Sequence, residues 1–99
     1  MATLLTEESL AAALRQSPEW THHPERRSIS RTYEFKGFKS AIRFVNRIAE
    51  TATELDHHPD IDIRYNKVRL EVSTHSAGGL TELDFALAKK VEELAEELD

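Results

Sequence analysis

The sequence contains no cysteine. Disulfides, iron–sulfur clusters and thiolate zinc sites are therefore excluded, and a reducing, cytoplasmic setting is the natural expectation. No apolar run is long enough to span a bilayer. Residues 1–10 carry Glu7 and Glu8 where a signal peptide would have a basic start and an apolar stretch, so none is expected. Positive charge is in deficit. Thirteen basic residues against 18 acidic ones give a formal net charge of -5, which argues against a general nucleic-acid binder. Linkers and low-complexity tracts are missing too. His22-His23-Pro24 echoes His57-His58-Pro59, but the neighbouring residues differ and no repeat is inferred. What remains is 99 residues, 39% hydrophobic, with four Phe, two Tyr and one Trp. That is enough for one small core over residues 1–99 and too rich for disorder.

The chain divides by periodicity. Thr6 followed by Glu7 and Glu8 is a helix start, and Pro18 ends that helix near Gln16. Trp20 to His23 is a short extended candidate, followed by a turn at Pro24-Glu25-Arg26. Ile29, Tyr33 and Phe35 alternate with Ser28, Thr32 and Glu34, as in a half-buried strand, with Arg31 a blemish on the apolar side. Gly37 caps a second helix. Its apolar stripe is expected at Phe38, Ala41, Ile42, Val45, Ile48, Ala49, Ala52 and Leu55. Thr81-Glu82-Leu83-Asp84 is a capping box with Asp in place of Glu, flanked by Leu80 and Phe85 as a hydrophobic staple. The last helix carries a stripe of Leu87, Val91, Leu94 and Leu98. Acids at its end oppose the helix dipole and predict fraying there. The order α-β-β-α-β-β-α predicts an α+β fold: a four-stranded antiparallel sheet with three helices on one face.

Residues 54–84 organise the rest. Ile61, Ile63 and Tyr65 alternate, as do Val68, Leu70 and Val72. A two-residue turn at Asn66-Lys67 would place Tyr65 opposite Val68, Ile63 opposite Leu70 and Ile61 opposite Val72, all on one face. Extended, this register pairs His58 with His75 on the open face, with Cβ atoms about 4.5–5.5 Å apart. It also opposes Arg64 to Arg69 and Asp62 to Glu71, two unfavourable like-charge pairs.

Three imidazoles could hold a catalytic zinc. Adjacent His57 and His58 would, however, point to opposite faces of an extended segment, and no HExxH pair exists. No metal or cofactor is expected. Acid–base chemistry suits histidine better, since its free pKa of about 6.5 lets it give or take protons near neutrality. The bland alternative is a set of exposed loop histidines, which is the reading kept for His22 and His23. Trp20 reads as core or edge packing, and Asp84 as a helix cap. Gly78-Gly79 lacks phosphate-loop spacing.

Several motifs together resemble the pterin-4a-carbinolamine dehydratase family: Leu55-Asp56-His57-His58-Pro59, Tyr65-Asn66-Lys67-Val68, Ser73-Thr74-His75, Gly79-Leu80-Thr81 with Asp84, and Phe35-Lys36-Gly37-Phe38. The resemblance runs from Trp20 to the last helix. It implies a dehydratase acting on 4a-hydroxytetrahydropterin, with His57, His58 and His75 as active-site histidines. His57 and His75 would transfer protons and His58 would orient the pterin. Trp20, Asp84, Pro59 and Thr74 would line the substrate site. It also implies a homodimer or homotetramer. Some relatives act as non-enzymatic modules, as transcriptional coactivators or assembly chaperones, and this is the alternative function. The family commonly has a Glu four residues before the first histidine, where this chain has Thr53. Neighbouring Glu54 is turned about 100° away on a helix.

Overall fold

The computed structural model describes residues 2–98. Helix α1 spans Glu7–Gln16, strands β1 and β2 span Thr21–His23 and Ser28–Glu34, and helix α2 spans Phe38–Leu55. Strands β3 and β4 span Asp60–Arg64 and Lys67–Val72. A 3₁₀ turn at His75–Ala77 leads to helix α3, Glu82–Leu98. The strands form one antiparallel sheet in the order β1-β2-β4-β3. The α+β expectation and its element order hold. Among the described residues no helix is long and apolar enough to cross a membrane.

Local chemistry sets the helix ends. The Thr6 hydroxyl accepts from the Ser9 N–H at 3.1 Å and starts α1. At α3 the capping box forms as expected. The Thr81 hydroxyl accepts from the Leu83 N–H at 3.2 Å, and the Asp84 carboxylate accepts from the Thr81 N–H at 2.8 Å. The acid-rich end of α3 was expected to fray, yet it stays helical through Leu98. Arg47 of α2 reaches across to Glu97 at 3.0 Å and offsets part of the unfavourable dipole term.

The core lies between the sheet and helices α2 and α3. Ile29 and Tyr33 of β2, and Val68, Leu70 and Val72 of β4, meet Phe44 and Ile48 of α2 and Leu87 and Val91 of α3. Helix α1 has no fully buried residue and only rests Leu10 and Leu14 on this core. The stripe of α2 departs from the expectation. Its centre is Phe44, absent from the expected set and wholly buried. The Phe44 ring sits 5.0 Å from Tyr33 and 4.8 Å from Phe35, and burying such a ring contributes about 2–3 kcal/mol. Seating it between two aromatic neighbours turns the helix. Ala41, Ile48 and Ala52 stay inside, while Phe38 is 52% exposed and Ala49 is exposed.

The hairpin register also differs from the expectation. The turn is Tyr65-Asn66, not Asn66-Lys67, and the pairs are Ile61 with Leu70 and Ile63 with Val68. The whole ladder is displaced by two residues. Face assignment survives, because side chains alternate with period two. Two contacts select the observed register. The Asn66 amide donates to the Phe35 carbonyl at 2.8 Å and the Asn66 carbonyl accepts from the Phe35 N–H at 2.9 Å, tying Asn66 into the loop. Lys67 is then free to pair with Glu34 of β2. The displacement brings Asp62 opposite Arg69, a favourable pair, while Asp60 comes to oppose Glu71 and Arg64 to oppose Lys67. Tyr65 bears the local strain at φ 55°, a left-handed value unusual for an aromatic residue. The expected opposition of His58 and His75 is lost as a strand pair, since His75 lies in the 3₁₀ turn beyond β4.

Candidate active site

The adjacent histidines are separated by the way α2 ends. Asp56 takes a left-handed conformation, φ 52° and ψ 43°, and its N–H returns to the carbonyls of Ala52 and Thr53. The His57 N–H also returns to Ala52, at 3.0 Å. Left-handed closure of this kind is a common helix stop, and a short polar side chain tolerates it. The chain reverses, His57 turns inward to 8% exposure, and His58 stays exposed.

The inward histidine meets a closed polar network. His57 Nε2 lies 2.6 Å from Asp84 Oδ1. Asp84 Oδ2 accepts from the Thr74 hydroxyl at 2.9 Å and from the Thr81 N–H at 2.8 Å. Because the Thr74 proton goes to Asp84, the Thr81 hydroxyl donates to Thr74 Oγ1 at 2.8 Å. Asp84 is 0% exposed, and both of its oxygens are occupied. A carboxylate acceptor at Nε2 places the proton there and leaves Nδ1 as the ring's lone-pair nitrogen. Among the described residues, Tyr33 Oη is the one buried side-chain polar atom without a partner. Nδ1 of His57 makes no hydrogen bond in that set, so it is not sealed from solvent.

The outward side is a different environment. His58 and His75 line one cavity of about 230 Å³ together with Arg26, Ser28, Asp60 and Glu71. Glu71 is gripped from three sides. Arg26 Nε donates at 2.9 Å, the Ser28 hydroxyl at 2.5 Å and Arg69 at 2.8 Å. The Arg26 hydrogen bond, helped by Ser28 and Arg69 against the opposing effect of burial, lowers the Glu71 carboxyl from 4.5 to about 2. A larger concavity of about 680 Å³ runs between the N-terminal segment, the end of α2 and the start of α3, and no histidine lines it.

The expected site residues are therefore only partly gathered. His58 and His75 share the cavity, by way of the 3₁₀ turn and not of a strand pair. His57 does not line it and is held by Asp84, which Thr74 holds in turn. Pro59 is half-buried between His58 and Asp60. Trp20 does not line the cavity. It is 5% exposed in the core, and its indole N–H donates to Glu92 at 3.2 Å. Thr53 is exposed, and its hydroxyl donates to the Ala49 carbonyl of its own helix at 2.8 Å. Arg26, Asp60, Glu71 and Thr81 were not singled out as site residues. Strand parity placed Asp60 and Glu71 on the open face and offered a signal for both. Nothing local marked Arg26, which sits in the β1–β2 turn and acts 45 residues along the chain.

The sequence matches the family described as pterin 4 alpha carbinolamine dehydratase over residues 3–94. The chain belongs to that family. A protein of Thermomicrobium roseum with the provisional name pterin-4-alpha-carbinolamine dehydratase is 50% identical over 91 residues, 92% of this chain and 96% of that one. A protein of Picosynechococcus with the same provisional name is 49% identical over 94 residues, covering 95% and 100% of the two chains. A crystal structure of a transcriptional coactivator/pterin dehydratase from Brucella melitensis superposes with a TM-score of 0.87 at 40% identity, covering 92% and 97%. A pterin dehydratase-like RuBisCO assembly factor of the alpha-carboxysome matches with a TM-score of 0.67 at 20% identity, covering 78% and 89%, which is a likeness of fold.

Proposed function

We propose that this dehydratase-family domain removes water from a 4a-hydroxytetrahydropterin by histidine acid–base catalysis, giving the quinonoid dihydropterin. The observation that carries the reading is the convergence of two imidazoles on one cavity, with a third, on the residue next to His58, held by a buried carboxylate. In the reaction the N5 lone pair forms the C=N bond as the C4a–O bond breaks. The departing hydroxide takes a proton and leaves as water, and N5 gives up its own proton. One acid and one base are sufficient, and such help is worth about 10²- to 10⁴-fold each. His75 serves as the acid in the cavity. His57 serves as the base through Nδ1, its tautomer set by Asp84 and its orientation by the Thr74–Thr81 hydroxyls behind. His58 orients the bicyclic ring. Trp20 supports the site only through the core, and Pro59 fixes the backbone between the cavity residues.

Generating the 4a-hydroxypterin in situ and following its loss by absorbance tests this. Purified protein should accelerate the loss well above the spontaneous rate. Equal rates with and without protein would end the enzymatic reading and favour a binding module, the role for which Thr53, with its hydroxyl turned back onto its own helix, is the one supporting observation.

We also propose a homo-oligomer. Helix α2 leaves Phe38 open, and edge strand β3 leaves Ile61 and Ile63 at 38% and 37% exposure, two apolar surfaces suited to a second copy. Sedimentation at micromolar concentration should give a dimer or larger. A monomer at that concentration would overturn it.

A further inference from the structure

We infer that Asp60 is the specificity-determining acceptor of the cavity, receiving the two adjacent N–H groups of a 2-amino-4-oxopyrimidine edge. The inference rests on the pterin reading above and names the residue that would distinguish a pterin from its 2-oxo counterpart.

Asp60 stands directly across the β3–β4 ladder from Glu71. Two carboxylates in that relation repel each other, and the surroundings treat them unequally. Glu71 accepts from Arg26, Ser28 and Arg69 through both oxygens. Asp60 is exposed, lines the same cavity and has no side-chain hydrogen bond or ion pair among the described residues. The guanidinium-bound Glu71 therefore makes a wall with no acceptor to spare, and Asp60 is the free carboxylate of the cavity. An ionised carboxylate offers two oxygens side by side and no donor. Its best match is a ligand edge with two parallel N–H groups, which the N3–H and 2-amino group of a pterin provide.

Position supports the chemistry. In a pterin, C2 and C4a lie para across the pyrimidine ring, so the amino edge and the reacting carbon face opposite ways. His58 and Asp60 are two residues apart and line one cavity, a separation of about 7 Å along extended chain. That distance accommodates one six-membered ring with a hydrogen bond at its end. Seating the amino edge on Asp60 directs C4a toward His58 and His75, which line the same cavity.

The test compares wild type, Asp60→Asn and Asp62→Asn. Asp62 lies on the same open face, two residues on, and already contacts Arg64 at 3.3 Å, so Asp62→Asn serves as the control. Binding is measured with 6-methyl-7,8-dihydropterin, which has no 4a-hydroxyl to lose, and with the corresponding 2-oxo lumazine. Wild type should prefer the pterin by about tenfold or more, since a carboxylate facing the lumazine 2-oxygen loses a donor and meets a lone pair. Asp60→Asn should weaken pterin binding by about tenfold and bring the two ligands close to parity. It should also raise KM for the hydroxypterin with kcat changed less than about twofold, as expected for lost uniform binding. Asp62→Asn should match wild type throughout. If Asp60→Asn binds and discriminates as wild type does while wild type remains an active dehydratase, the role of Asp60 is refuted and the pterin reading stands. If wild type neither binds the dihydropterin nor dehydrates the hydroxypterin, both fall together.

Discussion

His57 and His58 are neighbours in sequence and inhabit opposite chemical worlds. On the buried side, His57 joins Asp84, Thr74 and Thr81 in a network where the bonded polar groups are paired and water is largely shut out. In front, His58 and His75 stand at solvent beside charged groups that hold one another by ion pairs. The contrast teaches a division of labour. The dry side fixes geometry, because a buried polar group without its partner is costly. The wet side admits a ligand, because its groups are exposed and give up little on binding. Stability and activity should therefore respond together on one side and separately on the other.

The largest expected effect breaks the dry side. Asp84→Ala strands the His57 ring, the Thr74 hydroxyl and the Thr81 N–H, and so removes half of the α3 capping box. A loss of about 3–5 kcal/mol of stability is expected, together with a rate loss of about 10²-fold or more. His75→Ala should match that rate loss while changing stability by no more than about 0.5 kcal/mol, since His75 is exposed. Urea unfolding and the dehydration assay on the two variants decide the matter. A destabilised His75→Ala would erase the contrast.

A smaller effect sharpens the wet side through pH. The Glu71 carboxyl sits at about 2 in the folded protein against an ordinary 4.5. A lowered carboxyl stabilises the fold fully above its ordinary value, and the contribution is lost as pH falls toward the folded one. Glu71→Gln should therefore be about 1 kcal/mol less stable than wild type at pH 7. The gap should narrow below about pH 4.5 and nearly close by about pH 2. Urea midpoints measured across that range check it, and a gap independent of pH would show that Glu71 acts by shape alone.

The smallest effect lies outside both regions. Tyr33 Oη is buried without a partner, and burial pushes the phenol's pKa upward. Tyr33→Phe keeps the ring against Phe44 and removes the orphan hydroxyl. Stability should be unchanged or rise by up to about 1 kcal/mol, read as a small increase in Tm. A clear decrease would mean that the hydroxyl has an ordered partner.

Much of the fold was legible along the chain because its signals are local. Thr6 and Thr81 announce their helices by capping chemistry, and strand parity assigns Val68, Leu70 and Val72 to the core. The candidate site was legible in part. The His57-His58-Pro59 and Ser73-Thr74-His75 motifs named the imidazoles, while the resemblance placed Trp20 in a pocket that it does not line here. The α2 stripe failed at Phe44 because a broad apolar face leaves its centre undetermined until aromatic neighbours choose it.

The amino-acid sequence by itself determined element order, helix ends, which side of each strand is apolar and the identity of the three histidines. All of these depend on residues within a few positions of one another. Only the tertiary structure decided the register, the insertion of β4 between β2 and β3, and the partners of the charged groups. A two-residue slip leaves every parity intact, so the choice fell to contacts between distant segments. Asn66 on Phe35, Arg26 on Glu71 and His57 on Asp84 are such contacts, and no local pattern encodes them.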